Sequence, residues 1–158
     1  MSDRFLVGTR KGLFRCERDP SGRWDITGSW FLGDPVNLVL PEPGGRRIHA
    51  ALDLGHFGVK LRRSEDGGET WTEAAVPAYP PKPEGFEDKD PMRGLDLPWS
   101  TRLIWSLEVG GPGELWCGTI PGGLFRSVDG GETWALNRPL WDAPRRRQWM
   151  GGGYDFAG

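Results

Sequence analysis

Apolar residues fall in short runs of four to seven along most of this 158-residue chain, separated by stretches rich in Gly, Pro and Asp. Runs this short between turn formers predict β-strands rather than helices. They lie at residues 5–8, 13–16 and 24–30; at 36–40, 48–52, 59–64 and 71–75; and at 103–109, 114–118, 124–127 and 134–137. Gly and Pro number 25 and 14, a level at which disorder is the usual reading. Nine Trp and seven Phe argue the other way, because disordered chains are poor in aromatics. Many turns together with many large rings predict short strands around an aromatic core, an all-β fold.

An internal repeat sets the architecture. Ser64-Glu65-Asp66-Gly67-Gly68-Glu69-Thr70-Trp71 recurs as Ser127-Val128-Asp129-Gly130-Gly131-Glu132-Thr133-Trp134, at a period of 63 residues. Gly12-Leu13-Phe14-Arg15 recurs as Gly123-Leu124-Phe125-Arg126, which aligns residues 16–24 with a third, degenerate copy of the octapeptide. Asp-Gly-Gly supports a tight turn, since Gly reaches positive φ without steric cost. The Asp carboxylate and the Ser and Thr hydroxyls are placed to bond backbone groups locally, and the Trp opens the next strand and buries its ring on a neighbouring sheet. Each unit is then a small antiparallel sheet with its Asp turn between the last two strands.

Ser-x-Asp-Gly-Gly-x-Thr-Trp resembles the Asp-box, or bacterial neuraminidase repeat, of β-propeller proteins, over residues 5 to 137. Proteins with such boxes include sialidases, xyloglucan-cleaving glycosidases, sorting receptors and photosystem assembly factors. Val7-Gly8-Thr9-Arg10-Lys11-Gly12-Leu13-Phe14 is similar to bacterial proteins of the BNR-like, WD40/YVTN-like class that are often labelled glycosyl hydrolases. The resemblance implies a partial β-propeller of about three four-stranded blades, read as a single domain. Blade one covers 5–33 and lacks its first strand, blade two covers 36–76, and blade three covers 101–141. Residues 142–158 are read as the lead into a missing fourth blade.

A four-stranded blade runs to about 40–45 residues, so the 63-residue period carries an insertion. It lies at 77–98, with six Pro and the acidic run Glu84-Gly85-Phe86-Glu87-Asp88-Lys89-Asp90. It is read as a solvated loop available to a partner. Removing it from a binding scaffold is expected to abolish the partner and leave melting behaviour similar. Propellers protect their sheet edges by closure, and an open edge invites self-association.

The function implied by resemblance is carbohydrate recognition or hydrolysis at the central funnel, of the exo-sialidase-like glycoside hydrolase kind. The alternative is a non-catalytic scaffold for protein interaction or assembly; fold alone does not choose between them. The Asp-box residues Ser64, Asp66, Gly67, Gly68, Thr70 and Trp71, with Ser127, Asp129, Gly130, Gly131, Thr133 and Trp134, are read as structural. Loops on the opposite face bring the candidates: Arg10, Lys11, Asp34, Asn37, Asp53, His56, Phe57, Asp90, Arg93, Asp96, Trp99, Arg102, Arg145, Tyr154 and Asp155. Glycoside hydrolysis needs two carboxylates about 5–10 Å apart. Asp53 and Asp96, with His56 as acid or base, are the catalytic candidates, with Asp90 also available. Arg10, Lys11, Arg93, Trp99 and Arg102 are the substrate-binding candidates, since a guanidinium fork and an aromatic face suit a sugar or an anion. Each of these carboxylates also reads as an ordinary solvated loop residue, and His56 as a turn histidine. Sialidases carry Phe/Tyr-Arg-Ile-Pro, where this chain has Asp3-Arg4-Phe5-Leu6, which argues against sialidase activity itself.

Net charge is −2 with a pI near 5.7, which argues against a nucleic-acid or anionic-membrane partner. Arg145-Arg146-Arg147 beside Trp149 is read as a solvated blade connection rather than a phosphate patch. No apolar run approaches the roughly 18 residues of a membrane helix. Met1-Ser2-Asp3-Arg4 carries no secretory apolar stretch, so a cytoplasmic location is expected. Cys16 and Cys117 are too few for a disulfide framework and are expected to be reduced. His49 is read as a packing residue. His49 and His56 without nearby Cys do not make a zinc site, and the acidic insertion lacks calcium-loop spacing. No Gly motif opens a helix after a strand as nucleotide sites require, so no cofactor or metal is expected.

Overall fold

The structure, a computed structural model, describes residues 3–150 and Phe156. Three sheets carry the described residues. Strands β1 (Arg4–Thr9), β2 (Gly12–Arg18) and β3 (Trp24–Trp30) form one, in the order β1-β2-β3. The second is β4 (Val36–Pro41), β5 (Ile48–Asp53), β6 (Val59–Ser64) and β7 (Thr72–Ala74), in chain order. The third is β8 (Leu103–Gly111), β9 (Glu114–Ile120), β10 (Gly123–Ser127) and β11 (Ala135–Leu136), in the order β11-β10-β9-β8. The blade-one sheet has three strands, as its sequence predicts. The chain divides into two compact units, Met1–Glu73 and Ala74–Gly158.

Unit 1 holds the first two sheets. Alternation along β2 turns Leu13 to the same side as Trp30, its register partner on β3. That side meets the second sheet, where Leu13 joins Val36, Ala50 and Leu52 in a buried cluster flanked by Leu6, Trp30, Phe31, Val39, Leu54 and Trp71. Burying each large side chain contributes about 1.5–3 kcal/mol. Trp71, which closes the first octapeptide, sits edge-on to Trp30 and Phe31 at centroid distances of 6.1 and 5.2 Å. Gly8 lets β1 approach this close: a Cβ there would stand 2.8 Å from the Val36 carbonyl oxygen. His49 is buried on β5 with Nε2 2.8 Å from Glu42 Oε1, and burial holds its pKa below the ordinary value against that carboxylate's pull.

Unit 2 is built on the third sheet. Register sets Leu107, Cys117 and Phe125 side by side across β8, β9 and β10, and all three are buried. Burial pushes the Cys117 thiol up to about 12, which keeps it protonated. Residues 77–98 cover this face, which corrects the expectation of a solvated insertion. Pro77, Asp88, Asp90 and Leu97 are buried. The Tyr79 hydroxyl lies 2.5 Å from Thr119 Oγ1 and donates to the Pro121 carbonyl. Its ring stands against Phe125 and Trp141 at 5.0 and 4.7 Å. Trp99 continues the stack between Trp141 and Phe86, at 5.3 and 5.7 Å. Rings spaced along the insertion therefore use it as a lid on the sheet.

The segment after β11 is also built in. Asn137 caps helix α1 (Arg138–Trp141) by accepting from the Leu140 amide at 3.2 Å, and a 3-10 turn follows at Pro144–Gln148. That turn buries Arg146, which corrects the reading of the arginine run as a solvated connection; Arg145 and Arg147 do remain exposed.

Candidate functional site

The octapeptide turns are closed networks. Ser64 Oγ donates to Asp66 Oδ1 at 2.7 Å and accepts from the Gly68 amide at 2.8 Å. Asp66 accepts from the Glu69 and Thr70 amides at 3.0 and 2.9 Å and from the Thr70 hydroxyl at 2.6 Å. Ser127, Asp129, Gly131 and Thr133 repeat the pattern at 2.5–3.0 Å. The two Gly after each Asp have φ between 72° and 95°, where a side chain would be strained. In the degenerate copy, Asp19 accepts from Ser21 Oγ at 2.6 Å and from the Arg23 amide at 3.0 Å. Its carboxylate reaches an amide four residues on, as Asp66 and Asp129 do.

These donors, the Thr hydroxyl first, hold Asp66 far below the carboxylate range and Asp129 at about 2. A carboxyl whose pKa is depressed by folding stabilises the fold above its unfolded value, 3.8, and that contribution is lost as pH falls through the folded value. The urea midpoint is expected to fall as pH drops from 4 toward 2. A double variant, Asp66→Asn with Asp129→Asn, should start lower and lose less over that range. Equal acid sensitivity in the two chains would refute this role.

The funnel candidates divide between the units. In unit 1, Arg10 and Lys11 are the exposed tip of the β1–β2 hairpin, whose closing Thr9 Oγ1 accepts from the Lys11 amide. Asp53 Oδ1 accepts from the Gly55 amide at 3.2 Å, which fixes the start of the Gly55–Phe57 turn. His56 lies exposed on that turn against the Phe57 ring at 5.7 Å. In unit 2, exposed Asp96 pairs with Lys82 at 2.5 Å, and Arg93 and Arg102 are exposed. Trp99 donates Nε1–H to Asp88 Oδ2 at 2.8 Å. Asp90 is buried, its carboxylate accepting from the Met92 and Arg93 amides. Asp53 and His56 thus sit at one turn of unit 1, and Asp96 and Trp99 lie at the end of the insertion in unit 2, each with other partners. Tyr154 and Asp155 lie outside the described residues.

Two features were not read from the sequence. The first is the Asp88–Arg146 pair in unit 2. Arg146 Nη2 donates to Asp88 Oδ2 at 2.7 Å, its Nε–H goes to the Trp141 carbonyl at 2.6 Å, and its guanidinium lies 4.0 Å over the Trp141 ring. A pocket of about 20 Å³ adjoins the pair, room for one water, and Asp88 Oδ1 has no protein donor. The second is an open groove of about 300 Å³ in unit 1, lined by Arg4, Phe5, Leu6, Pro41, Gly45 and Ile48. Strand β1, at the edge of its sheet, forms one wall. The Arg18 amide bonds the Asp3 carbonyl, so antiparallel alternation directs the backbone groups of Leu6 and Gly8 away from β2. Apolar residues on an edge strand beside a loop rich in Pro and Gly were the available signal.

Among the described residues no group of His, Cys, Asp and Glu is arranged to hold a metal ion, and no helix is long and apolar enough to cross a membrane. No family model matches the chain, and no curated protein does. Solved structures do. One described as YCF48 bound to D1 peptide matches at TM-score 0.51 and 19% identity, over 85% of this chain and 36% of that one. YCF48 from Cyanidioschyzon merolae matches at TM-score 0.52 and 17% identity, over 85% and 35%. The chain therefore spans about a third of the length of these neighbours. At such identities the likeness concerns fold: the three antiparallel sheets are blades, and the chain is a partial β-propeller.

Proposed function

We propose that this chain is a non-catalytic propeller scaffold that binds a protein partner as an extended peptide, laid in the unit 1 groove along the edge of β1. The groove beside an edge strand carries this reading. Main-chain groups of Leu6 and Gly8 offer ladder bonds to an added strand, while Phe5, Leu6, Pro41 and Ile48 receive alternate apolar side chains. Arg4 at one end suits a peptide with an acidic flank. That a structural neighbour is described as bound to D1 peptide is consistent with peptide capture by this fold. Carbohydrate hydrolysis draws less support, because both candidate carboxylates are engaged: Asp53 caps a turn and Asp96 pairs with Lys82.

A strand-forming peptide of alternating Val and Thr, with Glu at one end, is the probe. Binding is expected to slow hydrogen exchange at the Leu6 and Gly8 amides. Pro41→Glu, at an exposed groove position, should weaken binding about tenfold or more, a difference of ~1.4 kcal/mol. Saturable binding without protection of β1 would move the site elsewhere. No binding by this peptide or by a tiled library of apolar peptides would sink the reading.

A further inference from the structure

We infer that this chain assembles head to tail with a second copy of itself, the outer face of the β8–β11 sheet of one copy seating on the outer face of the β1–β3 sheet of the next. The junction between the two sheets of unit 1 is the template. There Leu13 is fully buried, and the Arg15 guanidinium, 5.4 Å over the Trp30 ring, reaches across at 2.5 Å to Glu69 in the octapeptide of the second sheet.

The repeat copies the projecting half of that junction onto unit 2. Leu124 and Arg126 correspond to Leu13 and Arg15 in the Gly-Leu-Phe-Arg element. Register places Arg126, Trp116 and Glu108 on one face, opposite the one that Leu107, Cys117 and Phe125 bury. Arg126 lies 5.5 Å over the Trp116 ring, much as Arg15 lies over Trp30. It turns back to Glu114 of its own sheet at 2.6 Å, and its side chain is 50% exposed.

The receiving half recurs on the first sheet. Phe5, Cys16 and Ile26 are register partners, and Arg18 faces Trp24, so these side chains share the face turned away from Leu13 and Trp30. Trp24 occupies the place of Trp71, at the end of the degenerate octapeptide. Yet Phe5, Trp24 and Ile26 are 45, 43 and 65% exposed, with the Phe5 and Trp24 rings in tilted contact at 4.8 Å. A contiguous aromatic and aliphatic patch of this kind marks an interface. Its match is the projecting face of the same repeat; the Glu69 position is Gly22 in this copy, and Asp19 on the same turn is the carboxylate offered to Arg126 in its place. The two faces differ, so the contact is heterologous, and every junction consumes one of each.

Sedimentation velocity of the full chain tests this. Wild type is expected at multiples of 17.6 kDa, growing with concentration. Ile26→Asp on the receiving face and Arg126→Glu on the projecting face should each give a monomer with unchanged circular dichroism. Mixed, they should form a one-to-one complex and nothing larger, because the pair retains one intact junction. Wild type that stays monomeric at high micromolar concentration overturns the inference, as does assembly that survives both substitutions. Failure of the mixed variants to pair overturns the head-to-tail geometry. Ile26→Lys and Arg126→Gln replace any variant whose spectrum shows misfolding. Phe5 belongs to both surfaces, but neither Ile26 nor Arg126 lines the groove, so these variants report on assembly without altering the peptide site.

Discussion

Removal of residues 77–98 is expected to unfold unit 2 while unit 1 keeps its own transition. The segment takes Tyr79 out of its contacts with Phe125 and Trp141, a loss comparable to truncating a core aromatic, about 3–5 kcal/mol. It also removes Asp88 and leaves Arg146 without its counter-charge, which in a buried site costs about 3–5 kcal/mol. Together these approach the whole stability of an ordinary domain, about 5–15 kcal/mol. The near-UV signal of Trp99 and Trp141 should vanish, and proteolysis should degrade residues beyond 74 while sparing the first unit. A deletion chain with the near-UV spectrum and urea midpoint of the full chain would refute the structural role. Melting behaviour is thus expected to change on deletion, contrary to what a solvated loop implies.

Arg146→Met carries the second large effect. Asp88 is 1% exposed and Arg146 7%, so neither charge is open to bulk water. With the guanidinium gone, Asp88 keeps only Trp99 Nε1 as a side-chain donor, and the Trp141 carbonyl loses its partner. The expected cost is about 3–5 kcal/mol, read as a lower urea midpoint at unchanged slope. Adding Asp88→Leu should recover part of it, because an unpaired buried charge costs more than two orphaned neutral groups. Strictly additive losses would mean that the two side chains do not act as a pair.

The strands were legible because their signals are local. Gly12-Leu13-Phe14-Arg15 and its copy mark third strands, and Ser-x-Asp-Gly-Gly-x-Thr-Trp contains every group its turn needs, with Asp66 and Thr70 only four residues apart. The candidate sites were harder to read. Asp53 and His56 were identified as residues, but the sequence does not reveal that Asp53 spends an oxygen on the Gly55 amide. The acidic insertion looks solvated because composition averages over side chains with different fates. Glu84, Glu87 and Lys89 do face water, while Asp88 in their midst is buried. Its partner, Arg146, is 58 residues away.

By itself the sequence determined an all-β chain, the placement of its strands, the repeat and the self-contained Asp turns, since backbone geometry and bonds within a few residues settle each of them. Tertiary structure alone decided that Pro77, Asp88, Asp90 and Leu97 of the insertion, and Arg146 of the arginine run, are buried in unit 2. It also decided which sheet faces are covered and which are open. Those outcomes depend on desolvating side chains against partners far along the chain, and no local pattern encodes that balance.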